Sequence, residues 1–131
     1  MDIAKALGRP IPFGSLLGIR ILDHGGGRAI LEVDLRPELL NSVGVAHGGV
    51  TMTILDIAMS LAARTKDPKG TMAVTIEMKT SFLAPAHGKL VVQADCLQLG
   101  KSVAFCEGEA RDAKGEVVAR ASGTFMVRRK E

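Results

Sequence analysis

The 131-residue chain has no tryptophan, no tyrosine and only four phenylalanines. Single-stranded nucleic acid is gripped by stacked aromatics over a basic groove, so that class of partner is poorly served. Charge agrees with this: 17 Lys and Arg stand against 14 Asp and Glu, a net +3. The cations are scattered, apart from Arg128-Arg129-Lys130, and no nucleic acid is expected as partner. Long apolar runs are also missing. The longest uncharged apolar stretch falls short of the roughly 18 residues read as a membrane span. Met1 to Leu7 carries Asp2 and Lys5, with Pro10 and Pro12 close behind, so no signal-peptide core forms. No membrane partner is expected, and the expected location is cytoplasmic. Cysteine is limited to Cys96 and Cys106, without the spacing of a metal site. They flank a turn at Gly100-Lys101 and read as small apolar strand residues, reduced in the cytosol.

What the chain does have is apolar content, 47% of residues, enough for one core in one domain spanning 1–131. Residues 1–16 read as an N-terminal helix and loop, and 17–128 as the core. Leu17 to His24 and Arg28 to Arg36 form two strands around Gly25-Gly26-Gly27. In the second, Ala29, Leu31, Val33 and Leu35 alternate with Arg28, Glu32, Asp34 and Arg36, the half-buried period of two. Pro37 to Gly44 is a polar loop. A helix follows from Gly48 to Thr65, ended by Lys66-Asp67-Pro68-Lys69-Gly70. Four strands come after it: Met72 to Phe82, Lys89 to Leu99, Val103 to Ala110 and Glu116 to Arg128. Read as sequential hairpins, they predict an antiparallel sheet. The class is α+β: one long buried helix wrapped by a curved antiparallel sheet of five to six strands.

The helix carries the chemistry. It is apolar or small on every side, which predicts enclosure, yet the stretch Val50 to Ala63 contains one charge, Asp56. A lone carboxylate in such a helix is costly unless it is paired or used. At the start of the helix, Ala46-His47-Gly48-Gly49 leaves backbone N–H groups uncovered, and the missing β-carbons of Gly48 and Gly49 let a ligand approach. A helix N-terminus favours developing negative charge. An acid and an amide-lined terminus are the two parts needed to attack and polarise a carbonyl.

These residues resemble a hotdog-fold acyl-CoA thioesterase of the phenylacetate-degradation, PaaI-like type, over about residues 17–128. The resemblance rests on Asn41, Ala46-His47-Gly48-Gly49 and Asp56. Val74-Thr75-Ile76-Glu77-Met78, Leu83-Ala84-Pro85-Ala86 and Gly100-Lys101-Ser102-Val103-Ala104-Phe105 add support. It implies acyl-CoA hydrolysis with Asp56 as general base or nucleophile and the Gly48 amide as oxyanion donor. Asn41 would place the water or thioester, and Thr75 would support the acid, where family members often carry Ser. No metal or organic cofactor is implied, coenzyme A being part of the substrate.

Spacing adds an independent constraint. Gly48 and Asp56 are eight residues apart, about 12 Å along a helix. Groups acting on one carbonyl sit roughly 3 Å from their target atoms. One helix therefore does not present both to one thioester, and a homodimer sharing two equivalent sites is expected, with a dimer of dimers as its extension.

The remaining candidates carry bland readings beside functional ones. His47 serves either chemistry, through a tunable imidazole, or the loop that aims the Gly48 amide. Asn41 also suits a plain turn, and Thr75 a plain strand. Lys101, Ser102 and Arg128 lie where coenzyme A phosphates or solvent are the alternatives. Phe82, with Met52, Met59, Met72 and Met78, suits an adaptable pocket or simple packing. Two rival functions stand beside hydrolysis: a hotdog hydroxyacyl-thioester dehydratase, with His47 as base, and a non-catalytic acyl-CoA-binding module. The second is expected to need an appended domain and no catalytic acid.

Overall fold

The computed structural model describes residues 1–3 and 10–131. Of the N-terminal helix expected within 2–17, residues 4–9 lie outside the described part. A short helix α1 spans Pro12–Leu17, started by the proline and stopped by Gly18 at φ 79°. Then come β1 (Arg20–Gly25), β2 (Arg28–Asp34), a 3₁₀ turn at Pro37–Leu39 and the long helix α2 (Gly48–Thr65). The chain closes with β3 (Gly70–Phe82), β4 (Lys89–Leu99), β5 (Val103–Arg111) and β6 (Val117–Arg129).

The six strands form one antiparallel sheet in the order β1-β2-β4-β5-β6-β3. Helix α2 lies across its inner face and touches every strand. This is the expected one-helix, one-sheet architecture, with one correction. The later strands are not all sequential hairpins: β3 pairs only with β6, and β4 pairs back with β2. Alternation reports that a segment is a strand, not which strand lies beside it. The crossing segment after β3 explains the change. Leu83 and Ala84 donate their N–H groups to Val118 at the start of β6, and Ala46 donates to Ala86. The chain thus passes along the end of the sheet instead of turning back on β3.

Two features of β3 bear on the site. The regular alternation expected for Met72, Val74, Ile76, Met78 and Phe82 is broken by a bulge at Ile76, between the pairs Thr75–Phe125 and Glu77–Thr124. An extra residue shifts the phase of the side chains. Thr75 therefore lies on the helix side of the sheet opposite fully buried Phe125, though exposed at the sheet edge, while Val74 pairs with Met126 on the outer face. The strand is also a sheet edge, and Met72, Val74, Ile76 and Phe82 remain 39–59% exposed.

The core sits between α2 and the sheet and includes Leu31, Val33, Ile54, Leu55, Met59, Leu90, Val92 and Phe125, all at 0% exposure. The helix is not enclosed all round. Gly49 and Met52 are exposed, and Thr53, Asp56 and Ser60 are half-buried, one stripe at helical spacing. We expect Phe125→Ala, which empties the space beneath Thr75, to cost about 3–5 kcal/mol. A urea melt would show this as a lower midpoint with an unchanged slope.

Candidate active site

The approach to α2 is built by two side chains that hydrogen-bond to nearby backbone. Asn41 Oδ1 accepts from the N–H of Val43 (3.1 Å) and Val45 (3.2 Å), and Asn41 N–H donates to Val45 O. This is the local turn that Asn forms through its own side chain. His47 is the N-cap, extended at φ −62°, ψ 134°. Its Nδ1 accepts from Gly49 N–H at 2.9 Å, and its carbonyl accepts from Val50 and Thr51. Three of the first four helix N–H groups are thus spent on one residue. The fourth, that of Gly48, has no acceptor among the described residues. It stands at the positive end of an 18-residue helix, as an anion or oxyanion donor would.

That geometry makes His47 the cap of the helix. We expect His47→Ala to lose about 0.5–2 kcal/mol, the usual cost of a lost cap, and to slow turnover by loosening the Gly48 amide. His47→Asn keeps an acceptor for Gly49 and should retain both. Equal loss of turnover in the two variants, at unchanged stability, would instead put the imidazole in the chemistry.

Beside Gly48 lies a cavity of about 390 Å³, lined by Asn41, Val45, Ala46, Thr51, Val118 and the segment Phe82 to Ala86. A β-carbon built on Gly48 would meet the Phe82 ring at 3.3 Å, so the ring covers the glycine closely. Thr51 is 4% exposed, and its hydroxyl has no hydrogen-bond partner among the described residues. Reading the sequence did not single out Thr51. Its one visible signal was a hydroxyl three residues after Gly48, on the same side of the helix.

The second cluster sits two turns further on. Thr75 Oγ1 donates to Asp56 Oδ1 at 2.5 Å, a contact made possible by the bulge. Asp56 is half-buried rather than enclosed, and no cation pairs with it among the described residues. The exposed turn holding Lys101 and Ser102 lies at this end of the sheet, where Ala104, Phe125 and Thr75 form one row. Arg129 ties it down, donating to Gly100 O and Lys101 O and pairing with Asp67. The Lys69 N–H and then the Arg129 guanidinium hold the Asp67 carboxyl below the usual carboxylate range. Arg128 is exposed. The expected residues therefore fall into two groups on one chain. Gly48, Gly49, His47, Asn41 and Phe82 gather at the helix mouth. Asp56 and Thr75 meet mid-helix, with Lys101 and Ser102 nearer to them than to Gly48.

Other features do not compete. A cleft of about 400 Å³ opens on the outer face of the sheet, lined by Ile30, Gln93, Asp95, Glu107, Arg111 and Arg120 among others. Its cations are spent on Glu109, which pairs with Arg111 at 2.6 Å and Arg120 at 2.8 Å. It holds none of the residues just described. Cys96 and Cys106 face each other as register partners and are free and buried. Burial, then the neighbouring Cys96, pushes the Cys106 thiol up, which leaves it a poor nucleophile. No three His, Cys, Asp or Glu are grouped to hold a metal ion among the described residues. No described helix is long and apolar enough to cross a membrane.

The profile of the Thioesterase superfamily matches residues 43–119, which includes the helix mouth, Asp56 and Thr75. A Saccharolobus solfataricus protein, provisionally named an esterase, is 33% identical over 114 residues, covering 86% of this chain and 81% of its own. Human acyl-coenzyme A thioesterase 13 is 28% identical over 127 residues, covering 94% of this chain and 90% of its own. Among solved structures, a variant of the phenylacetic acid degradation protein PaaI from Thermus thermophilus superposes with a TM-score of 0.79. It is 27% identical and covers 88% of this chain and 97% of that one.

Proposed function

The chain belongs to the thioesterase superfamily as a PaaI-like hotdog member, and from that premise we propose that it hydrolyses acyl-CoA thioesters at a site shared by two subunits. Thioester hydrolysis is the activity of the superfamily; the acyl-CoA substrate rests on the name of the human relative. The observation that carries the proposal is the N–H of Gly48 at the helix mouth, unspent among the described residues and held there by a cap that occupies its three neighbours.

In the reaction, Gly48 N–H donates to the thioester oxygen as charge develops on it. Asp56 takes a proton from water as that water adds to the carbonyl carbon, or attacks the carbon directly. On the first route the C–S bond then breaks and the proton passes to the departing coenzyme A thiolate, leaving the free acid. On the second, loss of the thiolate leaves an acyl–Asp56 anhydride, which water hydrolyses to the free acid and the restored carboxylate, its proton passing to the thiolate. Water is the only co-reactant, and no metal or organic cofactor takes part. Thr75 orients the carboxylate by donating to Oδ1. General-base help is worth about 10²–10⁴ in rate and one oxyanion donor about 10²–10³. Together they lower the barrier by about 5–10 kcal/mol if they add.

Three features support the shared site. Gly48 and Asp56 are separated by about 12 Å of helix, and the stripe around Asp56 lies open in a single chain. The bare, partly apolar edge of β3 is the kind of strand that seeks cover. A twofold partner that covers the stripe brings its own helix mouth to Asp56. The dehydratase reading is disfavoured by the commitment of His47 Nδ1 to the cap. Thiol release from a panel of acyl-CoA thioesters by the purified protein tests the proposal. Turnover of none of them rejects it.

A further inference from the structure

Helix α2 contains four hydroxyl side chains, and three of them bond back to the helix. Thr53 donates to Gly49 O at 2.7 Å, Ser60 to Ile57 O at 2.9 Å and Thr65 to Ala62 O at 3.4 Å. Such back-bonding is the ordinary fate of a helical hydroxyl. Thr51 is the exception. It is the most buried of the four, at 4% exposure, yet its hydroxyl has no partner among the described residues. The oxygen is not sealed in the core: among the described residues the fully buried side-chain oxygen without a partner is that of Thr80. The Thr51 hydroxyl therefore keeps contact with open space, and valine would fill the same shape without a polar atom there. Thr51 lines the 390 Å³ cavity that opens beside Gly48. The rest of that wall carries mostly apolar side chains, Val45, Phe82, Leu83 and Val118 among them, with polar backbone groups exposed between them. The other polar side chain there, Asn41, has its carbonyl oxygen spent on Val43 and Val45.

We propose that the Thr51 hydroxyl is a specificity-determining contact that pairs with an oxygen carried by the acyl chain, so that the preferred substrates are acyl thioesters with a hydroxyl or oxo group near the third carbon. This rests on the proposed hydrolysis, which puts the thioester oxygen on Gly48 N–H and sends the acyl chain into the cavity. The position follows from the helix. Thr51 is three residues from Gly48, about 4.5 Å along the axis and on the same side. That is roughly the separation between the oxygens on the first and third carbons of an acyl chain. A hydroxyl both donates and accepts, so either oxidation state of the third carbon satisfies it.

The test compares 3-hydroxyhexanoyl-CoA with hexanoyl-CoA, reading thiol release by the wild type, Thr51→Val and Thr51→Ser. The wild type should favour the hydroxylated substrate by about tenfold or more in kcat/KM, since a site built for a hydroxyl discriminates against its absence. Thr51→Val should bring that ratio close to one, and Thr51→Ser should restore it. A wild type with no preference, or a Thr51→Val variant that keeps it, overturns the inference. Failure of the wild type to cleave any thioester strikes instead at the proposed hydrolysis. Calorimetric Kd values for the same two compounds then decide the Thr51 contact, and a ratio unchanged by Thr51→Val overturns it.

Discussion

Asp56→Asn is expected to lower thioester turnover by about 10²–10⁴, the range spanned by a lost general base, while fold and subunit association stay unchanged. The substitution keeps the shape of the side chain and an oxygen that can accept from Thr75 Oγ1, the one side-chain hydrogen bond of Asp56 among the described residues. It breaks no ion pair among the described residues. The position is half-buried on the open stripe of α2, so no dry core is disturbed. What disappears is the negative charge and the ability to take a proton. A residual rate above the uncatalysed reaction should persist, because Gly48 N–H still stands at the helix mouth. The measurements are kcat and KM on whichever thioester the panel ranks first, with the thermal midpoint and elution volume as controls. A variant with native-like kcat would remove Asp56 from the reaction and return it to the ordinary run of helix-surface acids.

The legible and illegible parts of the structure divide along physical lines. Helix α2 runs from Gly48 to Thr65 as expected, and β4 from Lys89 to Leu99. Apolar pattern and breakers such as Pro68 and Gly70 are local signals, and they act where they are written. The pairing of Asp56 with Thr75 was expected only through a family resemblance. It depends on the unpaired Ile76 turning Thr75 inward, and a bulge leaves no mark in an alternating run. The place of β3 at the far edge was hidden for a related reason: strand order is set by long-range pairing. The apolar surround of Asp56 pointed to an enclosed helix, yet one chain leaves a stripe of it open. That discrepancy fits a sequence shaped to be covered by a second copy. Nothing in the sequence marks Thr51, because a threonine in a helix is ordinary until its hydroxyl is seen to lack a partner among the described residues.

The proposed sharing of the site makes a quantitative demand on mixtures of two inactive variants. Gly48→Pro deletes the donor amide at a position that suits proline. The residue is the first of the helix, where proline is favoured, and His47 before it already has the extended backbone that proline imposes on its predecessor. The added ring must be accommodated by Phe82, whose edge lies 3.3 Å from a built β-carbon. Gly48→Ala, which adds a side chain but keeps the N–H, measures that steric cost separately. Gly48→Pro alone should fall about 10²–10³ below wild type, and Asp56→Asn alone as above. When the two variants are unfolded together in equal amounts and refolded, about half of the dimers are mixed. In each mixed dimer, one site joins an intact Gly48 from the Asp56→Asn chain to an intact Asp56 from the Gly48→Pro chain, and the other site lacks both. The mixture should therefore recover about a quarter of the wild-type rate. A site contained within one chain recovers nothing, whatever the extent of mixing. Recovery confined to mixed dimers, isolated by two different affinity tags, excludes reversion or contamination. Its absence from verified mixed dimers would show that the thioester is held and attacked by residues of the same chain.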